Sequence, residues 1–479
     1  MSKQPASIVD ICRNHAFERG DRIAYRFSDG QTIVATLSFS ELDGAAQQLA
    51  AFLQSRCQLG DRVLLLLEAG VDFVRAFFGC LYAGVTAVPL NLPVGARRLE
   101  KIRAIAQNCG ARLMLASSAS ARSLEGEALD FEHVELNALC EREALAGASY
   151  RDPNVTSTTP AFLQYTSGST GSPKGVVVTH ANLLANEEAI KASCAHDRDT
   201  VFVGWLPLFH DMGLVGNVLQ PAYVGIPSIL MPPSAFVRRP LRWLQLISEY
   251  GGTTSGGPDF AYDVCVRRID ESQMEGLDLR SWRIAFNGSE PIRARTLEAF
   301  ARKFAAVGFS SRAFYPVYGL AEATLFVSAP ERGREPRIRE VPASALEAGV
   351  IPAQDSRARD DATGGESRRE HRLVSCGSPR GGQVVKIVHP ETCAPCTERE
   401  VGEIWISGPN VARGYWNDPE QTARAFGAYT AQGEGPFLRT GDLGFLEADQ
   451  LFVTGRIKDL LIVSGKNHYP QDIEHTVSR

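Results

Sequence analysis

The feature that most constrains this chain is a set of short, wholly apolar runs separated by helical patterns. Val63–Leu67, Val85–Leu90, Val201–Leu206, Ser228–Met231 and Ile284–Asn287 have strand length and no apolar–polar alternation. A strand without a polar face must be covered on both sides. The segments between them supply the cover. Leu42, Ala45, Leu49, Phe52 and Leu53 recur at helical spacing behind Ser40, which reads as the N-cap, and Gly60-Asp61 reads as the stop. Phe73, Phe77 and Leu81 mark a second helix, and Arg239–Tyr250, Pro258–Ile269 and Ile292–Val307 read as three more. Doubly covered strands alternating with helices predict an α/β fold of doubly wound parallel sheets. A chain of 479 residues is too long for one core, and this many units need more than one sheet.

Charge and hydropathy remove several classes of function. Lys plus Arg number 50 against 55 Asp plus Glu, a net charge of −5, so no whole-protein electrostatic case exists for nucleic acid or an anionic membrane. The uncharged stretch Ala76–Ala96 contains Pro89 and Pro93, and Met212–Val237 contains Pro221, Pro227, Pro232 and Pro233. Each reads as a buried helix, a turn and a strand, and no membrane span is expected. Met1–Ala16 has no apolar core of the export type, so a cytoplasmic location with reduced cysteines is the expectation. Cys393-Ala-Pro-Cys396 lacks a second pair at zinc-finger spacing and reads as a polar connection, not a metal site.

Organisation follows the same patterns. Residues 1–200 read as a first α/β subdomain and 201–375 as a second. Within the second, about 331–372 is charge-dense and broken by Gly and Pro, and reads as a surface insertion, partly mobile. Gln383–Val388, Gly402–Ser407 and Gln450–Thr454 give residues 376–455 the look of a small β-rich, barrel-like unit. Residues 456–479 begin something new.

The strongest local signal is Tyr165-Thr-Ser-Gly-Ser-Thr-Gly-Ser-Pro-Lys-Gly-Val-Val-Val-Thr-His180, small hydroxyl residues and glycines between two strand-like segments. Such a loop lets backbone N–H groups and hydroxyls converge on an anion, with Lys174 adding charge. It is not a Walker A loop, because Pro173 precedes the lysine and strand residues follow it.

Together with later segments, this run resembles the phosphate loop of the acyl-adenylate-forming superfamily. Asn287-Gly-Ser-Glu-Pro291 is similar to that family's adenine segment. Tyr318-Gly-Leu-Ala-Glu-Ala-Thr324 resembles its adenine-stacking and Mg²⁺ motif, Thr440-Gly-Asp-Leu-Gly444 its ribose motif, and Gly455-Arg-Ile-Lys-Asp-Leu-Leu-Ile462 its interdomain hinge. All stand in the family's order. Pro207-Leu-Phe-His-Asp-Met-Gly-Leu214, Ser255-Gly-Gly-Pro-Asp-Phe-Ala-Tyr262 and Gly465-Lys-Asn-His-Tyr-Pro-Gln-Asp-Ile-Glu474 narrow the resemblance to the fatty acyl-AMP ligases, which also carry an extra segment near the charge-dense insertion.

The resemblance implies ATP and Mg²⁺ as cofactors, a fatty acid as substrate and an acyl carrier protein as partner, its phosphopantetheine arm taking the acyl group. A fatty acyl-CoA ligase is the alternative. Thr166, Ser167, Gly168, Ser169, Thr170, Gly171 and Lys174 would cradle the phosphates. Gly288, Ser289, Glu290, Pro291, Tyr318, Gly319 and Leu320 would hold adenine, Asp442 and Arg456 the ribose, and Glu322 the metal. His210, Met212, Ser255, Gly256 and Ala321 would form the reaction and acyl site, with Met212–Val218 and Phe260 walling an apolar tunnel. Adjacent residues on a helix do not face one another, so His210 and Asp211 are not expected to pair. Nor is a general base needed, since a fatty acid is already ionised at neutral pH.

The family continues past its hinge residue, here Lys458, into a small α+β domain whose lysine contacts the α-phosphate. That lysine's motif is absent from the 479 residues. The expectation is a large N-terminal domain that binds ATP and acyl-adenylate yet adenylates poorly.

Overall fold

Two sheets carry the fold. The computed structural model describes residues 5–91, 98–124, 130–136, 149–166, 173–353, 370–463 and 466–468. The first sheet runs Glu132–Glu135, Leu113–Ala116, Arg62–Leu66, Thr86–Pro89, Pro160–Thr166, Lys174–Thr179, parallel except for the last pair. The second runs Phe314–Pro316, Ile284–Asn287, Thr254–Gly257, Phe202–Gly204, Ser228–Leu230, Ile23–Ser28, Ile33–Ser38, again parallel except at its last pair. Every strand read from an apolar run is present. The four residues of Thr86–Pro89 are all buried, as are those of Leu113–Ala116, the result expected where helices cover both faces.

One assignment differs from the reading. Ile23–Ser28 and Ile33–Ser38, placed by sequence within the first subdomain, form the edge of the second sheet, with Tyr25 registered on Ser228. Asp29-Gly30 makes the hairpin turn plain, with Gly30 at φ +97°. A hairpin says nothing about which distant edge it joins.

The helix after this hairpin also starts differently. Ser38, not Ser40, is its N-cap: the Ser38 side chain accepts from the Glu41 N–H while the Glu41 carboxylate accepts from the Ser38 N–H. This reciprocal capping box satisfies two donors where Ser40 would satisfy one. The helix ends at Gln54, before Gly60-Asp61.

Met212–Leu219 is a π-helix, followed directly by the short α-helix Gln220–Val224. The local cause is chemical. Pro221 has no N–H to offer the Asn217 carbonyl, which accepts instead from Ser228 Oγ at 2.9 Å. The Val218 carbonyl is taken by the Tyr25 hydroxyl at 2.8 Å. Outside partners thus hold the widened turns open. Gly213 admits the bend, since a Cβ there would lie 2.0 Å from the Pro207 carbonyl oxygen.

Within 331–372, Ile338–Pro342 pairs antiparallel with Glu370–Val374 and Ala343–Ala348 is helical with Leu346 buried. Part of the charge-dense stretch is therefore regular structure, while 354–369 lie outside the described residues. The β-rich unit is a four-stranded antiparallel sheet: Val384–Val388, Gly402–Ser407, Leu438–Glu447, Gln450–Arg456. Among the described residues no helix is long and apolar enough to cross a membrane.

Candidate active site

The parallel strands of the second sheet end at Gly204, Gly257, Asn287 and Pro316, and just beyond the last of them Tyr318 meets Asp442 of the β-rich unit. Open α/β sheets bind ligands at the carboxyl ends of their strands. In the Asn287–Pro291 loop, fully buried Asp259 accepts from Asn287 Nδ2 (3.3 Å), the Arg293 N–H (3.2 Å) and Thr296 Oγ1 (2.9 Å). Glu290 Oε1 accepts from the Phe260 N–H at 2.6 Å, so this carboxylate also fastens the loop. Gly288 is required by proximity: a Cβ would sit 2.8 Å from Val317 Cγ2. Pro291 follows on the same loop, and Leu320 is half-buried beyond Tyr318.

The Tyr318 hydroxyl donates to Asp442 Oδ2 at 2.8 Å, and Arg456 Nε lies 2.8 Å from Asp442 Oδ1. Asp442 and Arg456 are direct cross-strand partners. Burial pushes the Asp442 carboxyl above its usual range, with Arg456 pulling the other way. Burial and the Asp442 charge push the Tyr318 phenol well up. Two residues assigned to different parts of the nucleotide thus hold each other here.

Glu322 lies in a short turn that is held unusually hard. Thr324 has φ 65° and ψ −53°, and the Leu325 N–H donates to the Ala323 carbonyl at 2.7 Å, a γ-turn of the rarer, strained hand. Buried Asn410 clamps it. Its Nδ2 donates to the carbonyls of Ala323 (2.9 Å) and Phe326 (2.7 Å), its own carbonyl accepts from Thr324 Oγ1 (2.7 Å), and Ala412 N–H donates to the Glu322 carbonyl (2.8 Å). Gly319 opens the hairpin where a Cβ would meet the Leu325 carbonyl oxygen at 1.7 Å.

Tyr415, absent from the sequence reading, joins the two charged ends of the site. Its hydroxyl donates to Glu322 Oε1 at 2.9 Å, and its ring lies 5.2 Å from Lys174 Nζ. The loop Arg413–Trp416 reaches this place by hydrogen-bonding along Gly175 and Val177 of the strand that Lys174 begins. Burial raises the Glu322 carboxyl above its ordinary value; the Tyr415 hydrogen bond opposes that, and the charges of Asp211 and Asp442 add to it. Asn410 and Tyr415 were legible only as polar-loop residues. A glycine-aromatic pair before the Asp418-capped helix is the one signal that marks them.

His210 and Asp211 do face one another, with Nδ1 and Oδ1 2.7 Å apart. The expectation failed because His210 lies in the turn before the helix, where helical spacing does not apply. Desolvation works against the imidazolium, yet the Asp211 hydrogen bond and charge prevail and raise the His210 pKa. Next to this pair, Met212 Sδ lies 3.2 Å from Ser289 Oγ. Met212, Ser289, Tyr318 and Gly319 stand at the start of a mostly apolar cavity whose wall also includes Ile190, Phe202 and Tyr315.

Other predicted residues lie elsewhere. Ser255 is fully buried, its Oγ accepting from Trp243 Nε1 (2.7 Å) and donating to the Val203 carbonyl (2.6 Å). A Cβ on Gly256 would meet the Phe286 carbonyl oxygen at 2.0 Å. Both serve the sheet and do not line the cavity, whose wall at this strand is Thr254. Ala321 is buried in the Glu322 turn, and Phe260 packs on Trp205 and Phe236, away from the tunnel it was expected to wall. Thr166 and Lys174 are cross-strand partners, whereas Ser167, Gly168, Ser169, Thr170 and Gly171 lie outside the described residues. Lys458 is exposed in the turn Ile457–Asp459.

Comparison with known proteins places this arrangement. Residues 12–416 match the AMP-binding enzyme family. The medium-chain-fatty-acid–[acyl-carrier-protein] ligase JamA of Moorena producens (strain JHB) is 42% identical over 489 residues, covering 100% of this chain and 81% of that protein. The corresponding ligase TtuA of Teredinibacter turnerae (strain ATCC 39867 / T7901) is 38% identical, covering 97% and 78%. The crystal structure of a fatty acid AMP ligase from Legionella pneumophila superposes with a TM-score of 0.89 at 42% identity, covering 99% of this chain and 81% of that one. A fatty acyl-adenylate ligase from the same organism, solved with acyl adenylate and pyrophosphate, gives 0.88 at 42% identity, with the same coverage. With its crevice at the strand ends and its apolar cavity, the chain belongs to the AMP-binding enzymes, in the fatty acyl-AMP ligase branch of the adenylate-forming superfamily.

Proposed function

We propose that this protein activates a fatty acid with ATP and delivers the acyl group to the phosphopantetheine thiol of an acyl carrier protein. A carboxylate oxygen attacks the α-phosphorus, the bond from that phosphorus to the bridging oxygen breaks, and acyl-adenylate and pyrophosphate result. The thiol then attacks the acyl carbon and AMP leaves. The observation that carries this reading is the junction of an apolar cavity with a charged crevice at Met212 and Ser289. An acid bound with its tail inside presents its carboxylate to the groups outside.

Both reactants are anionic, so the protein's work is positioning and neutralisation. Lys174 would meet the phosphates. Asp442, once released by Tyr318, would accept from the ribose diol, with Arg456 beside it. His210, kept toward its protonated form by Asp211, would stabilise negative charge on the acyl oxygen. Glu322 fits Mg²⁺: a desolvated carboxylate in the field of Asp211 and Asp442 is a hard oxygen donor whose charge a divalent cation would offset. Among the described residues no group of three or more His, Cys, Asp or Glu gathers at one point. A single protein carboxylate suits a metal completed by substrate phosphates, whose charge it would neutralise.

Mass spectrometry under single-turnover conditions tests the reading. Fatty acid, ATP and Mg²⁺ should give acyl-adenylate, and later addition of a holo carrier protein should give its acyl thioester while CoA stays unacylated. Acyl-CoA formed in preference to the carrier thioester would turn the assignment to the CoA ligases.

A further inference from the structure

The cavity has a definite floor. Along the second sheet it runs from Ser289 and Tyr318, beyond the strand ends, back to Thr254 at the first residue of its strand. Thr254 is level with Ile284, and the strand ends three residues on at Asn287, roughly 10 Å at the rise of a strand, with Ser289 in the turn beyond it. Met212 and Gly216 line the opposite side, and Gln220, four residues further, reaches the floor. Eight residues would span roughly 12 Å at the α-helical rise, and this mostly π-helical stretch, wider per turn, spans less.

At the floor stands His196, 6% exposed. Its Nε2 is 3.2 Å from Thr254 Oγ1, and its Nδ1 is 3.1 Å from the Gln220 carboxamide. With that amide turned so that its oxygen faces His196, its nitrogen donates to the Glu187 carbonyl at 3.0 Å and to the Glu187 carboxyl. Burial drives the His196 imidazole down to about 4 and pushes the Glu187 carboxyl well up, each toward its neutral form. Phe202 packs edge-on against the ring, centroids 6.1 Å apart. An imidazole with both nitrogens engaged presents an uncharged wall against which a methyl terminus can rest. Behind it lies a second, small hollow sharing Cys194, His196 and Thr254 with the first and lined beyond them by Arg283 and Arg332. These shared side chains are a partition between two spaces.

Resting on the reading of the cavity as the acyl site, we infer that His196 is the chain-length stop of this enzyme and that Gly216 keeps the channel passable midway. An extended chain advances about 3.5 Å per three bonds, about 1.2 Å per bond, so roughly 10–12 Å holds about 8–10 carbons. Gly216 matters because a Cβ there has nothing within 4 Å and points no strain into the helix, so any larger side chain grows into free space.

The test is binding of non-hydrolysable acyl-sulfamoyl adenosines, hexanoyl to stearoyl, to the full chain by calorimetry. Wild type should tighten with length up to the stop, about fourfold per methylene (~0.8 kcal/mol each), and then weaken. His196→Ala should carry the optimum upward into the second hollow. Gly216→Leu should bring it down by several carbons, weakening the decanoyl analogue roughly a hundredfold while leaving the shortest ones unchanged. Gly216→Leu decides the matter should His196→Ala fail to fold. A wild-type optimum that neither variant moves overturns the inference alone. Failure of wild type to bind any acyl analogue while it binds ATP overturns the fatty-acyl reading beneath it.

Discussion

Replacing Tyr415 by Phe removes one hydroxyl and leaves the ring, and so separates the two contacts this residue makes. The lost bond is that to Glu322 Oε1, 2.9 Å long and made to a carboxylate that burial already disfavours as an anion. A hydrogen bond to a charged group contributes about 1.5–3 kcal/mol, a factor of roughly 10–150. A bound cation takes over part of that stabilisation, so the net effect should lie near the low end, a rise of about tenfold in the Mg²⁺ concentration for half-maximal activity. The sign with pH follows from the same bond. The metal needs the ionised carboxylate, whose pKa is raised; activity therefore falls as pH drops through it, and Tyr415→Phe should move this acid limb to higher pH. ATP–pyrophosphate exchange across a Mg²⁺ series at several pH values reads both effects. Tyr415→Leu, which also strips the ring 5.2 Å from Lys174 Nζ, should in addition raise the KM for ATP, by up to about fivefold for a cation–π contact of about 1 kcal/mol. A Tyr415→Phe enzyme with an unchanged or lower Mg²⁺ requirement and an unmoved acid limb would refute the role given to this bond.

Two further outcomes are expected. Asn410→Ala removes one of two partners from each of two carbonyls, Phe326 keeping Gln383 Nε2 and Ala323 the Leu325 N–H, and loosens the strained turn at Thr324, so unfolding by urea should show a loss of about 1–3 kcal/mol, with kcat falling more than substrate affinity; a stable variant of normal kcat would contradict the clamp. Glu187 has a folded pKa raised above its unfolded value, so its contribution to stability is complete below the unfolded carboxylate range and is lost as pH rises through the folded pKa. Calorimetric melting of Glu187→Gln should therefore decline less than wild type between about pH 5 and about pH 8, and parallel melting curves would show that this carboxyl does not titrate between the two states.

The strands were readable because a doubly covered strand has no polar positions; Val63, Leu64, Leu65 and Leu66 are each wholly buried. The order of the motifs was readable too, since each nucleotide-binding segment is continuous in sequence. What escaped was long-range or non-helical. Tyr415 stands beside Lys174 only because its loop adds to a strand more than two hundred residues earlier. Asn410 acts through its amide on carbonyls that no pattern marks. His210 meets Asp211 because the helix begins one residue later than helical spacing assumes. Ser255 resembled a site residue by its place in a motif, yet its hydroxyl is spent on Trp243 and Val203.

The hairpin Ile23–Ser38 threads the halves of this molecule through one another. The chain lays down one margin of the second sheet, leaves to build the whole of the first, and returns to complete what it began. The second half is therefore not a contiguous length of polypeptide. Residues 201–375 expressed alone would leave Ser228–Leu230 as a bare rim of unpaired amides and carbonyls, and would lack Tyr25, whose hydroxyl props the widened helix beside the cavity. Excising or swapping this half to graft a new acyl preference must carry the first forty residues with it.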